Sequence, residues 1–156
     1  MIGNDLVDLE QAANDSNWAR RGYLDKIYTS QEQELIMKAA DPTQMVWLLW
    51  SMKEAAYKIR SRQTKIRKYA PMSLVCSNIN DLSKDSIEGT VWVDNICFFT
   101  KSTLKKEYIH TLAAASRACL SQIKEVIYEC IPSQIDYKKT RPKCVSHHGR
   151  YLALIY

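Results

Sequence analysis

Three carboxylates and one lysine carry the chemistry this sequence can do. Glu54 and Lys58 stand i,i+4 within Trp50-Ser51-Met52-Lys53-Glu54-Ala55-Ala56-Tyr57-Lys58, so on a helix they project from one face a turn apart. On an exposed helix that spacing gives a solvated ion pair worth about 0.2–0.5 kcal/mol. Here Trp47, Trp50 and Tyr57 crowd the pair, and Leu48, Leu49, Met52, Ala55 and Ala56 make the stretch apolar on nearly all sides. That is the pattern of a buried helix. A partly desolvated carboxylate there needs a cation or a metal to stay ionised. A second acidic pair, Asp5 and Asp8, sits among Ile2, Leu6, Val7 and Leu9. Such pairs are usually turn or cap chemistry, but the apolar neighbours of Asp5 place it beside the core. Asp5 and Glu54 converging with Lys58 would form a hard-oxygen site for Mg2+, which typically takes one or two protein carboxylates plus substrate phosphates. The constellation points to phosphate-bearing substrates.

Basic residues gather in two stretches, Arg60, Arg62, Lys65, Arg67 and Lys68 after Lys58, and Lys138, Lys139, Arg141 and Lys143 before His147 and His148. Each reads either as a solvated face or as a docking surface for phosphates or an acidic partner. Adjacent histidines on a strand point oppositely, so one of the two at most is expected to face a site. With 22 Lys+Arg against 17 Asp+Glu, the net charge of +5 does not choose between an anionic small molecule and nucleic acid. Four glycines in 156 residues, with neither GxGxxG nor GxxxxGK[ST], argue against a glycine-rich nucleotide loop. The five cysteines form no CxxC or Cys/His pattern and read as idle thiols of a reducing cytosol. The opening residues have no basic and apolar signal-peptide regions, and no apolar run nears the ~18 residues of a membrane span. A cytoplasmic, soluble chain is expected.

The elements that must position these residues read as follows. Met1 to Leu9 is a strand or strand-end leading into a polar connection. Thr29 and Glu32 form a capping box for a helix to about Ala40. Asp41 caps a second helix with Pro42 at its first position, running to roughly Ile66. Strands are expected at Ser73–Ser77, Ile87–Val93, Ile96–Thr100 and Tyr108–Ala113, with Asp94-Asn95 as a two-residue hairpin turn. A third helix is expected over Ser116 to Cys130, with Leu120, Ile123 and Ile127 on one face and Pro132 ending it. Lys143 to Tyr156 reads as strand, turn at His147-His148-Gly149, and strand. Helices early and strands late give an α+β fold, a mainly antiparallel sheet packed against a long helix, in one domain over residues 1–156.

The motifs resemble those of the 4′-phosphopantetheinyl transferase superfamily. Ile2-Gly3-Asn4-Asp5-Leu6-Val7-Asp8 is similar to its first motif, and Trp50 to Lys58 to its second, WSxKEAxxK. Tyr28-Thr29-Ser30-Gln31-Glu32 resembles its FTxxE element, and Ser146-His147-His148-Gly149-Arg150-Tyr151 its Ser-His element. The resemblance is clear over about residues 1–72 and the last dozen. It implies that Asp5 and Glu54 hold Mg2+ on the pyrophosphate of coenzyme A, and that Glu54 helps deprotonate the attacking serine of an acyl or peptidyl carrier protein. Lys58 would neutralise the departing 3′,5′-ADP. Lys53 and Ser51 would contact phosphate or the carrier, and His147 the nucleotide. Arg60, Arg62, Arg67 and Lys68 would dock the acidic carrier. Val7 stands where longer members have a further acidic ligand, so water or Asp8 would complete the metal shell. The implied type is a holo-acyl-carrier-protein synthase, as in fatty acid biosynthesis. One copy of each motif implies a homo-oligomer, a trimer before a dimer, unless residues 73–142 let a monomer supply both walls. Two other classes compete: a catalytically silent carrier-binding relative, and a nucleic-acid module stacking bases on Tyr69 and Tyr137 beside the basic stretches.

Overall fold

A computed structural model describes residues 1–129 and 136–156. Strand β1 (Ile2–Asp8) leads directly into helix α1 (Leu9–Asp15), followed by α2 (Tyr23–Ile27), α3 (Ser30–Lys38) and the long α4 (Pro42–Thr64). After a 3-10 turn at Pro71–Ser73 come β2 (Val75–Ser83), β3 (Ser86–Val93), β4 (Ile96–Leu104) and β5 (Tyr108–Ala114). Short α5 (Arg117–Leu120), β6 (Glu125–Glu129), a 3-10 turn at Tyr137–Thr140, β7 (Cys144–His148) and β8 (Tyr151–Ile155) complete the described chain. The strands form a five-stranded antiparallel sheet, β1-β5-β4-β3-β2, and a three-stranded one, β6-β8-β7. This is the expected α+β fold with a large antiparallel sheet packed on helices.

Local chemistry explains the helix starts. Thr29 accepts from the Glu32 N–H while Glu32 accepts from the Thr29 N–H, closing the capping box. Asp41 accepts from the Gln44 N–H, and Pro42 opens α4 where no amide donor is needed. Asp94 and Asn95 both have positive φ, the geometry of a type I′ turn that matches the twist of β3 and β4. The segment after Leu9, expected as polar connection, is helical instead, because the Asp8 carboxylate caps α1 by accepting from the Glu10 and Gln11 N–H groups. The helix expected over Ser116 to Cys130 is corrected more sharply. Only Arg117–Leu120 is helical, and Glu125–Glu129 pairs with β8. Val126 and Ile127 are β-branched, and the free edge of β8 gives them a partner that helical spacing alone does not. Cys130 and Pro132 lie outside the described residues.

β1 organises the molecule because it is buried on both faces. Its odd residues meet α4: a Cβ on Gly3 would run into the Ala55 carbonyl oxygen, and Val7 joins the core with Leu49, Met52, Ala56 and Ile59. Its even residues meet the second sheet: Asn4 donates to the Ala153 carbonyl, Leu6 packs with Tyr151 and Ala153, and Asp8 pairs with Arg150. One edge of β1 pairs with β5. On the other edge, the Leu6 N–H donates to Ser146 Oγ at 3.1 Å and the Asp8 N–H to His148 Nδ1 at 2.9 Å. Side chains of β7 thus seal an edge that would otherwise hold unpaired amides. His110 Nδ1 and Glu125, 3.2 Å apart, join β5 to β6.

Candidate active site

Strand β1 and helix α4 bring together three residues separated by half a hundred positions. Alternation along β1 turns Asp5 towards α4, where Lys58 donates to Asp5 Oδ1 at 3.0 Å, to the Asn4 carbonyl at 2.8 Å and to Ser146 Oγ at 3.1 Å. Lys58 therefore turns to the strand rather than closing an i,i+4 pair with Glu54. From β7, Ser146 joins Asp5 and Lys58 in this cluster.

Glu54 stands one turn before Lys58. Burial pushes its carboxyl up to about 7, and the nearby Asp5 charge adds to the rise; Lys58 and the Tyr69 hydroxyl oppose it. The Tyr69 ring stacks edge-on against Trp50 and Tyr57, at 5.6 and 4.9 Å between centroids, residues that flank Glu54 on α4. Its hydroxyl is buried without a hydrogen-bond partner at good geometry, so its influence on Glu54 is that of a loose neighbour. Tyr69 is thus a packed side chain, which removes it as a platform for stacking bases.

Asp5 and Glu54 open onto a cleft of about 330 Å3, walled by Trp47 and Trp50 of α4, Tyr23 of α2, and both His147 and His148. Both histidines lie on β7, which ends at His148 before the chain turns through Gly149 at φ +53°. His147 is exposed and His148 half-buried. Two other clefts lack a carboxylate pair. One, about 220 Å3, lies at the end of α4 between Tyr57, Arg60 and Lys68. The other, about 460 Å3, has apolar walls from Trp18, Leu24 and Met37.

Asp8 is placed away from any metal role. It caps α1, and Arg150 donates to it from the backbone N and from Nε and Nη2, each at 3.0 Å. Burial raises its carboxyl, but those bonds outweigh it and hold the group at about 2. Lys53 also stands apart. Helix geometry turns it about 100° from Glu54 into the interior, fully buried, with its donors on Glu32 (2.8 Å), the Ile27 carbonyl (2.8 Å) and the Pro71 carbonyl (2.9 Å). No donor is left for a phosphate. Ser51 is likewise fully buried. Of the basic residues after Lys58, Arg60 binds Asp94, Arg62 binds the Ile2 carbonyl and Cys144 Sγ, and Arg67 and Lys68 are exposed.

Among the described residues, no group of three or more His, Cys, Asp and Glu side chains forms a metal cage. Asp5, Asp15 and Glu54 bring three carboxylates to the cleft, and burial, then the Asp5 charge, lifts Glu54. Such an excess of negative oxygen suits a hard divalent cation that completes its shell with water and phosphate.

The family model described as ACPS, 4′-phosphopantetheinyl transferase superfamily, matches residues 1–115. It covers β1 through β5 and so includes Asp5, Glu54 and Lys58, while β7 and its histidines lie beyond it. A search of curated proteins returned no match.

Proposed function

The chain belongs to the 4′-phosphopantetheinyl transferase superfamily, and from that membership we propose that it transfers 4′-phosphopantetheine from coenzyme A to a serine of an acyl or peptidyl carrier protein. The observation that carries the reading is that Asp5 and Glu54 line one cleft while Lys58 bonds to Asp5, all three on the motifs of the match.

Asp5 and Glu54 would hold Mg2+, which when bound would polarise the pyrophosphate and offset its charge. The residues of the chain do the rest. Lys58 brings its ammonium to the oxygens of the leaving 3′,5′-ADP, exchanging a present partner such as Ser146 Oγ for phosphate. The Glu54 carboxylate takes the proton from the serine hydroxyl as the serine oxygen bonds to phosphorus and the P–O bond to 3′,5′-ADP breaks. Positioning and charge neutralisation supply most of the catalysis in such transfers. His147, exposed at the cleft, would contact the nucleotide, and the exposed Arg67 and Lys68 would dock the acidic carrier. Lys53 and Ser51 serve instead as the packed support of α4.

The holo-acyl-carrier-protein synthase type, the cytoplasmic setting and a homo-oligomer, trimer before dimer, belong to the same proposal. The four described cysteines are free thiols, and no described helix is long and apolar enough to cross a membrane. Incubation with coenzyme A, Mg2+ and an apo carrier protein, read by mass spectrometry, tests the reading.

A further inference from the structure

Residues 148–150 take hold of Asp8 from three directions. The Asp8 N–H donates to His148 Nδ1 at 2.9 Å. Gly149 lies so close over the carboxylate that a Cβ there would collide with Oδ2. Arg150 donates to both carboxylate oxygens. The imidazole is thereby fixed at its Nδ1 end. A ring nitrogen that accepts from an amide carries no proton, so the proton of the neutral ring sits on Nε2. His148 also lines the cleft that holds Asp5 and Glu54.

We propose that His148 is a further substrate-binding residue, its Nε2–H donating to an anionic oxygen of coenzyme A. The inference rests on the reading that this cleft takes coenzyme A. With Nδ1 occupied, His148 offers the cleft a donor of fixed direction, which selects for acceptor oxygens such as those of phosphate. A backbone amide thus sets the tautomer, in the way second partners set it for histidines at metal sites.

The two ends of the ring can be tested apart, because the side-chain oxygen of Asn can take the place of Nδ1 and the amide nitrogen of Gln that of Nε2. Coenzyme A with Mg2+ is titrated calorimetrically into the full chain, and Tm is measured alongside. His148→Asn is expected to keep Tm and to weaken coenzyme A binding by about tenfold or more, the range of one hydrogen bond to a charged group. His148→Gln is expected to lower Tm while holding affinity within a few-fold of wild type. If wild type binds and His148→Asn binds equally well, the inference is overturned alone. If wild type does not bind coenzyme A, the functional reading falls, and this with it. A 15N spectrum of the free protein with the His148 proton on Nδ1 overturns the inference irrespective of ligand.

Discussion

Lys58 Nζ lies 3.0 Å from Asp5 Oδ1, so the helix cation of the Trp50 to Lys58 motif answers a carboxylate on β1 and not its helical neighbour Glu54. The ion pair ties α4 to β1. It also leaves Glu54 facing a second carboxylate with one ammonium between them. Lys58→Ala is expected to reduce transfer on the order of 10²–10³-fold while circular dichroism shows the fold retained. Unchanged turnover in that variant would remove Lys58 from the mechanism.

Gly3 is required by the close crossing of β1 and α4. Gly3→Ala places a methyl group against the Ala55 carbonyl oxygen, which belongs to backbone and cannot step aside cheaply. The expected cost is about 1–3 kcal/mol, read as a lowered denaturation midpoint. The same substitution at Gly22, where a Cβ would meet nothing within 4 Å, has only a positive φ against it and serves as the comparison.

The Glu32–Lys53 pair is fully buried at 2.8 Å, with Glu32 also accepting from the Cys76 N–H. Lys53→Met strands a buried carboxylate and is expected to cost about 3–5 kcal/mol. Removing both charges, Lys53→Met with Glu32→Gln, is expected to cost less than the sum of the single changes. Chemical denaturation of the four proteins gives the coupling; strictly additive losses would show that the pair does not act as a unit.

Asp8 gives an acid-side stability dependence. Its folded carboxyl sits at about 2 against an ordinary 3.8, so the folded state binds the proton less readily than the unfolded chain. The contribution is complete above about pH 4, the unfolded range, and is lost as pH falls towards 2. Asp8→Asn keeps an N-cap for α1 but not the charge for Arg150. Tm measured from pH 6 to pH 2 is expected to fall less steeply in the variant than in wild type.

What the sequence disclosed was local. The capping box at Thr29, the start of α4 at Asp41-Pro42 and the turn at Asp94-Asn95 each depend on residues within four positions, and each is found where expected. The strand at Glu125–Glu129 was hidden because Leu120, Ile123 and Ile127 fit a helical period as well, and only β8 decides between them. The site divides in the same way. Asp5, Glu54 and Lys58 were legible from their motifs. Lys53 was misplaced because a motif gives adjacency and not direction: one residue along a helix is a turn of about 100°, from cleft to core. Ser146 lies 88 positions from Lys58 and His148 lies 140 from Asp8, so their contacts with the site could come only from the folded chain.

Transfer of phosphopantetheine by the Asp5, Glu54 and Lys58 junction is read by mass spectrometry of the carrier. Wild type and Glu54→Gln are each incubated with coenzyme A, Mg2+ and an apo acyl carrier protein. The expected result is a phosphopantetheine mass increment on the carrier with wild type, and a rate reduced roughly 10²-fold or more with Glu54→Gln. No increment from wild type across several acyl and peptidyl carriers, or equal rates from the two proteins, would contradict it.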